Sequence, residues 1–347
     1  MKPPALKPIP ALCAAMLISA WLHAPVQAQD AEASDLDTLR KAARSALSDN
    51  SATDPHQQHD HHEDRAAHHK HEGHVEFFAM QACLLAVVLV LHTYTGMHII
   101  RRGIIFCDLV LDQLAAFGVV AGIGLGIRYG SPLSYAMAMG ATLVGCVLLA
   151  VIRPRNRLIP NEAVIGIMYG MALVACLLLA DKLPTGGTDI KNTLVGSMSW
   201  VSWRLVGVTA GAYSLLLLFH YTVRKQIIGI TESGADGKER TLWDFLFFLS
   251  QGIITILIVP VAGVLLAYGF MMIPAAIGIM ITRRWRAGLL AGWSSGMAAC
   301  LLGLWFSYRS NSPYGPSLVM AMGLLFLLVV TMRAVMHGHA PDERTAP

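Results

Sequence analysis

Residues 243–281 read WDFLFFLSQGIITILIVPVAGVLLAYGFMMIPAAIGIMI and contain one charged residue, Asp244. The run is about twice the ~20 apolar residues that a single bilayer crossing requires. Val259-Pro260-Val261 sits near its middle. Proline removes a backbone donor and crowds the preceding helical turn. The run therefore predicts either two crossings joined at Pro260 or one long bent element.

The same pattern repeats on both sides. Apolar segments are drawn at 77–99, 108–127, 133–152, 162–180, 202–223, 243–258, 262–281, 289–307 and 317–336. The expected fold is all-α: a polytopic transmembrane helical bundle of nine spans, or eight if 243–281 is one element. Composition agrees. The 347 residues are 55% hydrophobic and 14% charged, where soluble domains carry roughly 25% charged residues. The mean hydropathy is +0.54. The net charge of +4 forms no basic stripe, so a nucleic-acid partner is excluded and membrane lipid is the surrounding partner. Cys13, Cys83, Cys107, Cys146, Cys176 and Cys300 form no CxxC pair and read as small apolar packing residues.

Residues 1–28 have the parts of a secretory signal peptide: Lys2 and Lys7, an apolar stretch at 9–22, and Val26-Gln27-Ala28 before the expected cleavage. An uncleaved signal anchor is the alternative. Residues 29–76 are then expected to be a periplasmic, disordered extension. It has a weak amphipathic pattern through Leu36, Leu39, Ala43 and Leu47, followed by His56, His59, His61, His62, His68, His69, His71 and His74 among acidic residues. Imidazole suits zinc, copper and nickel, and carboxylates can complete the shell. The spacing defines no single tetrahedral site, so the tract reads as a multi-site metal collector. A linker with incidental histidines is the plainer alternative.

Loop basicity orients the transmembrane domain, 77–336. With its N-terminus outside, the basic connections fall inside: Arg101-Arg102, Arg153 to Arg157, Arg224 to Arg240, and Arg283 to Arg286. Arg128, Lys182, Lys191 and Arg309 fall outside, and the tail 337–347 ends in the cytoplasm. The expected location is a bacterial inner membrane, multi-pass.

No phosphate-cradling loop is present, since Gly234-Ala-Asp-Gly-Lys238 lacks the GxxxxGK[ST] spacing. The chain is expected to be non-catalytic, with no permanently bound cofactor. Asp108 and Asp112 open the second span at i, i+4 and share a helical face. Two acids one turn apart repel unless they bind a cation or share a proton. They are the metal-contact candidates within the membrane. Helix N-termini also favour carboxylates, so capping is an equal alternative. Glu162 and Asp244 read as caps of their own spans, and His92, His98 and His220 as packed histidines.

Residues 98–118, HIIRRGIIFCDLVLDQLAAFG, resemble the first-to-second helix connection of zinc/manganese-type ABC transporter permeases. NEAVIGIMY at 161–169, LVGSMSW at 194–200, VAGVLLAYGFMMIPAA at 261–276 and SNSPYGPS at 310–317 resemble the same family, in the same order. The resemblance covers about 84–333. It implies a homodimeric permease, a cytoplasmic ABC ATPase dimer that hydrolyses the ATP, and a periplasmic metal-binding protein that delivers the ion. It also implies coupling to the ATPase through Met272, Pro274, Ala275, Ala276, Arg283 and Arg284, with Pro274 ending the helix before a short docking element. The expected cargo is a divalent transition metal, zinc first and manganese second. Many members carry Asp then His four residues later; here the second residue is Asp112, which hardens the site. An ion-coupled secondary metal transporter and a membrane-anchored metal sensor are the alternatives.

Overall fold

The computed structural model describes residues 59–128, 131–152, 159–183, 201–233 and 238–337, with backbone alone at 59–75. The expected signal peptide, His56, the 194–200 motif and most of the C-terminal tail lie outside the described residues. The described residues form helices α1 His59–Arg102, α2 Cys107–Gly124, α3 Pro132–Val151, α4 Asn161–Ala180, α5 Trp203–Thr222, α6 Arg224–Ser233, α7 Lys238–Ile281, α8 Trp285–Ser310 and α9 Tyr314–His337. Helix is the expected answer in a bilayer, where each segment must satisfy its own backbone groups.

Among the described residues, nine stretches are long and apolar enough to cross a membrane, and α7 supplies two, Arg240–Val259 and Val261–Ile281. Gln251 Nε2 donates to Met271 Sδ at 3.0 Å. Twenty residues of straight helix would hold those groups about 30 Å apart, so α7 is a hairpin of two spans and the eight-span alternative falls. The non-helical residue is Gly263, with φ 77° and ψ 161°. Only glycine adopts that backbone readily. The expected break at Pro260 is therefore displaced three residues along the chain.

Helices α1 and α7 are central. One apolar cluster joins α1, α5, α7, α8 and α9 through residues such as Leu89, Tyr213, Phe270, Leu304 and Met322. A second joins α1, α2, α3, α4, α6 and α7 through Ile99, Leu111, Cys146, Ile165, Ile227 and Phe247. Small residues let backbones approach. A Cβ on Gly118 would lie 2.5 Å from the Met137 carbonyl oxygen, and one on Gly292 would lie 2.7 Å from that of Pro274.

The two ends of the bundle differ. At the arginine-rich end, Arg102 pairs with Asp244 at 3.0 Å, with both side chains largely buried. Arg101 donates to the Arg283 carbonyl at 2.9 Å, and Trp285 Nε1 to Glu232 at 2.9 Å. The opposite end holds Trp203 Nε1 on Glu76 at 3.0 Å and the Phe77–Tyr314 ring pair at 6.4 Å.

Two expectations change. The backbone at 59–75 is helical and continuous with the first span, where an irregular chain was expected. Extending an existing helix avoids the nucleation step. Pro274 does not end its helix, which runs on to Ile281. Transmembrane helices tolerate proline because packing against neighbours supports the interrupted turn.

Candidate metal pathway

Helix α2 begins without a side-chain cap of its own. Its N-terminus is instead held by Glu162 of α4, whose two carboxylate oxygens accept from the Ile105 and Phe106 N–H groups at 3.0 Å each. Orphan N–H groups at a helix start need such acceptors. Glu162 was expected to cap its own span, which has no side-chain cap bond; it holds the start of α2 across the fold instead. Asp108 Oδ2 and the two Asp112 oxygens make no capping bond.

Both aspartates are buried, 2% and 0% exposed. Asp108 Oδ2 and both oxygens of Asp112 have no hydrogen-bond partner among the described residues. Thr255 of α7 lies beside Asp112 without closing a well-formed hydrogen bond to it. Tyr213 of α5 lies within electrostatic range of both carboxylates, and its hydroxyl is also buried and unpartnered. His92 of α1 stacks on Tyr213 with ring centroids 5.8 Å apart. Three elements, α2, α5 and α7, thus bring oxygen groups around one acidic pair, with the His92 ring of α1 stacked on Tyr213 beside it. Two unpaired carboxylates in an apolar bundle require a proton or a cation. Together they can neutralise one divalent ion.

Among the described residues, no three His, Cys, Asp or Glu side chains stand close enough to form a complete metal centre. The sequence did not single out Tyr213 or Thr255. On α5, Thr209, Tyr213 and His220 fall on one buried face, a polar stripe in an apolar span that could have been read as a signal.

Asp244 was expected to cap its helix. It instead binds Arg102, with Arg240 one turn away at 3.6 Å. Of the six residues expected to meet an ATPase, Met272, Pro274 and Ala275 are buried and Ala276 is half-buried, within a helix packed on α1 and α8. Their part in coupling stays what the resemblance implies. Arg283 and Arg284 are exposed in the turn between α7 and α8. The histidines from His59 to His74 lie on the N-terminal extension of α1, beyond the first span.

The chain is 23% identical over 257 residues to the manganese import system permease protein ScaB of Streptococcus gordonii, covering 72% of this chain and 90% of that one. It is 21% identical over 238 residues to the manganese transport system membrane protein MntC of Halalkalibacterium halodurans, covering 65% and 80%. The fold matches that of PsaBC from Streptococcus pneumoniae in complex with Fab, with a TM-score of 0.60, 20% identity, and coverage of 77% and 94%. The pattern of the ABC 3 transport family matches residues 76–333, and the chain belongs to that family.

Proposed function

We propose that this chain is the permease subunit of an ATP-driven importer for a divalent transition metal, and that the ion passes between α1, α2, α5 and α7 by way of Asp108 and Asp112. The observation that carries this reading is the buried, unpartnered carboxylate pair. Ionisable groups at membrane depth are expensive, and they mark pathways. The two carboxylates offset the charge of the ion where water cannot. Hydrolysis of ATP belongs to a separate cytoplasmic subunit, which meets the exposed turn of Arg283 and Arg284. The arginine-rich end faces the cytoplasm, as loop basicity requires. Two copies of the chain form the channel, and an exported binding protein delivers the ion at the opposite end.

Manganese is named in the relatives ScaB and MntC, and the hard carboxylate pair suits it. The histidines suit zinc. The tract from His56 to His74 acts as an external collector that raises the local ion concentration. Deleting 54–74 should leave uptake unchanged in abundant metal and reduce it under scarcity. An excised 29–74 segment that binds no zinc at neutral pH would overturn the collector. The test of the main reading is uptake of radioactive manganese and zinc by cells that express the chain with its partner subunits and lack other importers. Metal-dependent uptake that the Asp108→Asn, Asp112→Asn double variant abolishes supports it. Undiminished uptake in that variant sinks it.

A further inference from the structure

Below the carboxylates, toward the arginine-rich end, α1 and α5 carry a second polar level. His98 lies six residues beyond His92, and His220 seven beyond Tyr213, which places each about 9–10 Å further along its helix. Both rings are fully buried. Both pack edge-on to Tyr94, with centroids 4.8 and 5.5 Å from it, and both lie 6.1 Å from the Phe247 ring.

The hydrogen bonds define which nitrogen of each ring carries the proton. Thr231 donates its hydroxyl hydrogen to the Ile227 carbonyl at 2.8 Å. Toward Arg102 Nε and His98 Nδ1, each at 2.8 Å, it must therefore accept. His98 Nδ1 carries its hydrogen, and Nε2 is a bare lone pair. Ser250 likewise donates to the Phe247 carbonyl at 2.7 Å and accepts from His220 Nε2 at 2.9 Å. His220 Nδ1 is then the bare nitrogen. Among the described residues, neither His98 Nε2 nor His220 Nδ1 has a partner, and neither does the Tyr94 hydroxyl. One N–H tied to an acceptor anchored on backbone, with the other nitrogen free, is how proteins orient histidines that ligate metal.

We infer that His98 and His220, with the Tyr94 hydroxyl, form a second station for the transported ion, nitrogen-rich where the Asp108–Asp112 station is oxygen-only. The inference rests on the permease reading above and adds a selectivity to it. Imidazole holds zinc well and manganese poorly, so the station favours zinc-class ions on the way to the arginine-rich end.

The test uses variants that keep each anchoring N–H and remove only the free nitrogen: His98→Asn, since the Asn amide mimics Nδ1, and His220→Gln, since the Gln amide mimics Nε2. Full-length chain is expressed with its partners, and uptake of zinc and of manganese is measured separately. The double variant is expected to lose about tenfold or more of its zinc uptake and less than about twofold of its manganese uptake. Its melting temperature without metal should match wild type, and the rise on adding zinc should shrink. Equal loss for both metals, no loss for either, or a wild type that moves manganese and no zinc overturns the station while the permease reading stands. A wild type that moves neither metal overturns both.

Discussion

Helices α2 and α9 are both apolar and both long enough to cross a bilayer, yet 61% of the span in α2 is buried inside the protein against 11% of that in α9. On α2 the buried positions include Asp108, Asp112 and Gln113 alongside Leu111, Ala115, Ala116 and Gly118. On α9 the large side chains Leu324, Leu327, Leu328 and Met332 point away from the bundle. Hydropathy treats the two alike because lipid and protein interior are equally apolar. What separates them is which atoms replace water around each side chain. Lipid tails cannot satisfy a carboxylate, so the acidic pair belongs on the helix that faces protein.

The contrast can be broken at four points. The largest effect is expected at the acidic pair. The Asp108→Asn, Asp112→Asn double variant should reduce metal uptake on the order of a hundredfold, the upper range for lost metal-site groups, with normal amounts of folded protein in the membrane. Asp112→His should retain uptake and shift its preference toward zinc. Normal uptake and selectivity in the double variant would make α2 a packing helix like any other.

Next is a matched pair of leucines. Leu111 on α2 is 0% exposed and Leu327 on α9 is 59% exposed. Leu111→Ala should lower stability by about 3 kcal/mol through lost contacts and a cavity. Leu327→Ala should change it by less than about 0.5 kcal/mol, as expected of an outward position. Thermal unfolding of purified protein in detergent reads both, and similar losses would remove the distinction between the helices.

Glycines give a smaller contrast. Gly118→Ala pushes a methyl group against the backbone of Met137, so α2 and α3 must separate, at about 1–2 kcal/mol. The smallest effect is expected at Gly323 of α9, where an added Cβ meets nothing within 4 Å. Gly323→Ala should be neutral or slightly stabilising, because alanine favours helix over glycine by about 1 kcal/mol. A clear loss at Gly323 or Leu327 would mean that another copy of the chain covers α9, and cross-linking from either position would identify it.

Much of this was legible in the chain. The nine segments match nine spans to within a few residues, because a run of apolar residues is a local property and the bilayer sets its length. The reversal inside 243–281 was legible as well, though Gly263 rather than Pro260 carries the left-handed φ. The shared face of the acidic pair was legible as well, since i, i+4 spacing fixes it whatever surrounds the two residues.

Which acid would hold the start of α2 was not legible. It is Glu162, which reaches the α2 N-terminus across 57 residues to Ile105 and 56 to Phe106. No local pattern announces that contact. Asp244 had the same ambiguity and the opposite outcome: it found Arg102, 142 residues away, and became one half of a buried ion pair. Pro274 looked like a stop because proline breaks an isolated helix, whereas here α1 and α8 pack around it. Sequence alone determined that the chain is a helical membrane bundle, where its spans lie and which residue types its path could use, because length, hydropathy and helical period act over a few turns. The tertiary structure decided which of four similar acids lack a partner and which nitrogen of each histidine is free, because a hydrogen bond reaches only about 3 Å and its partners come from helices far apart in the chain.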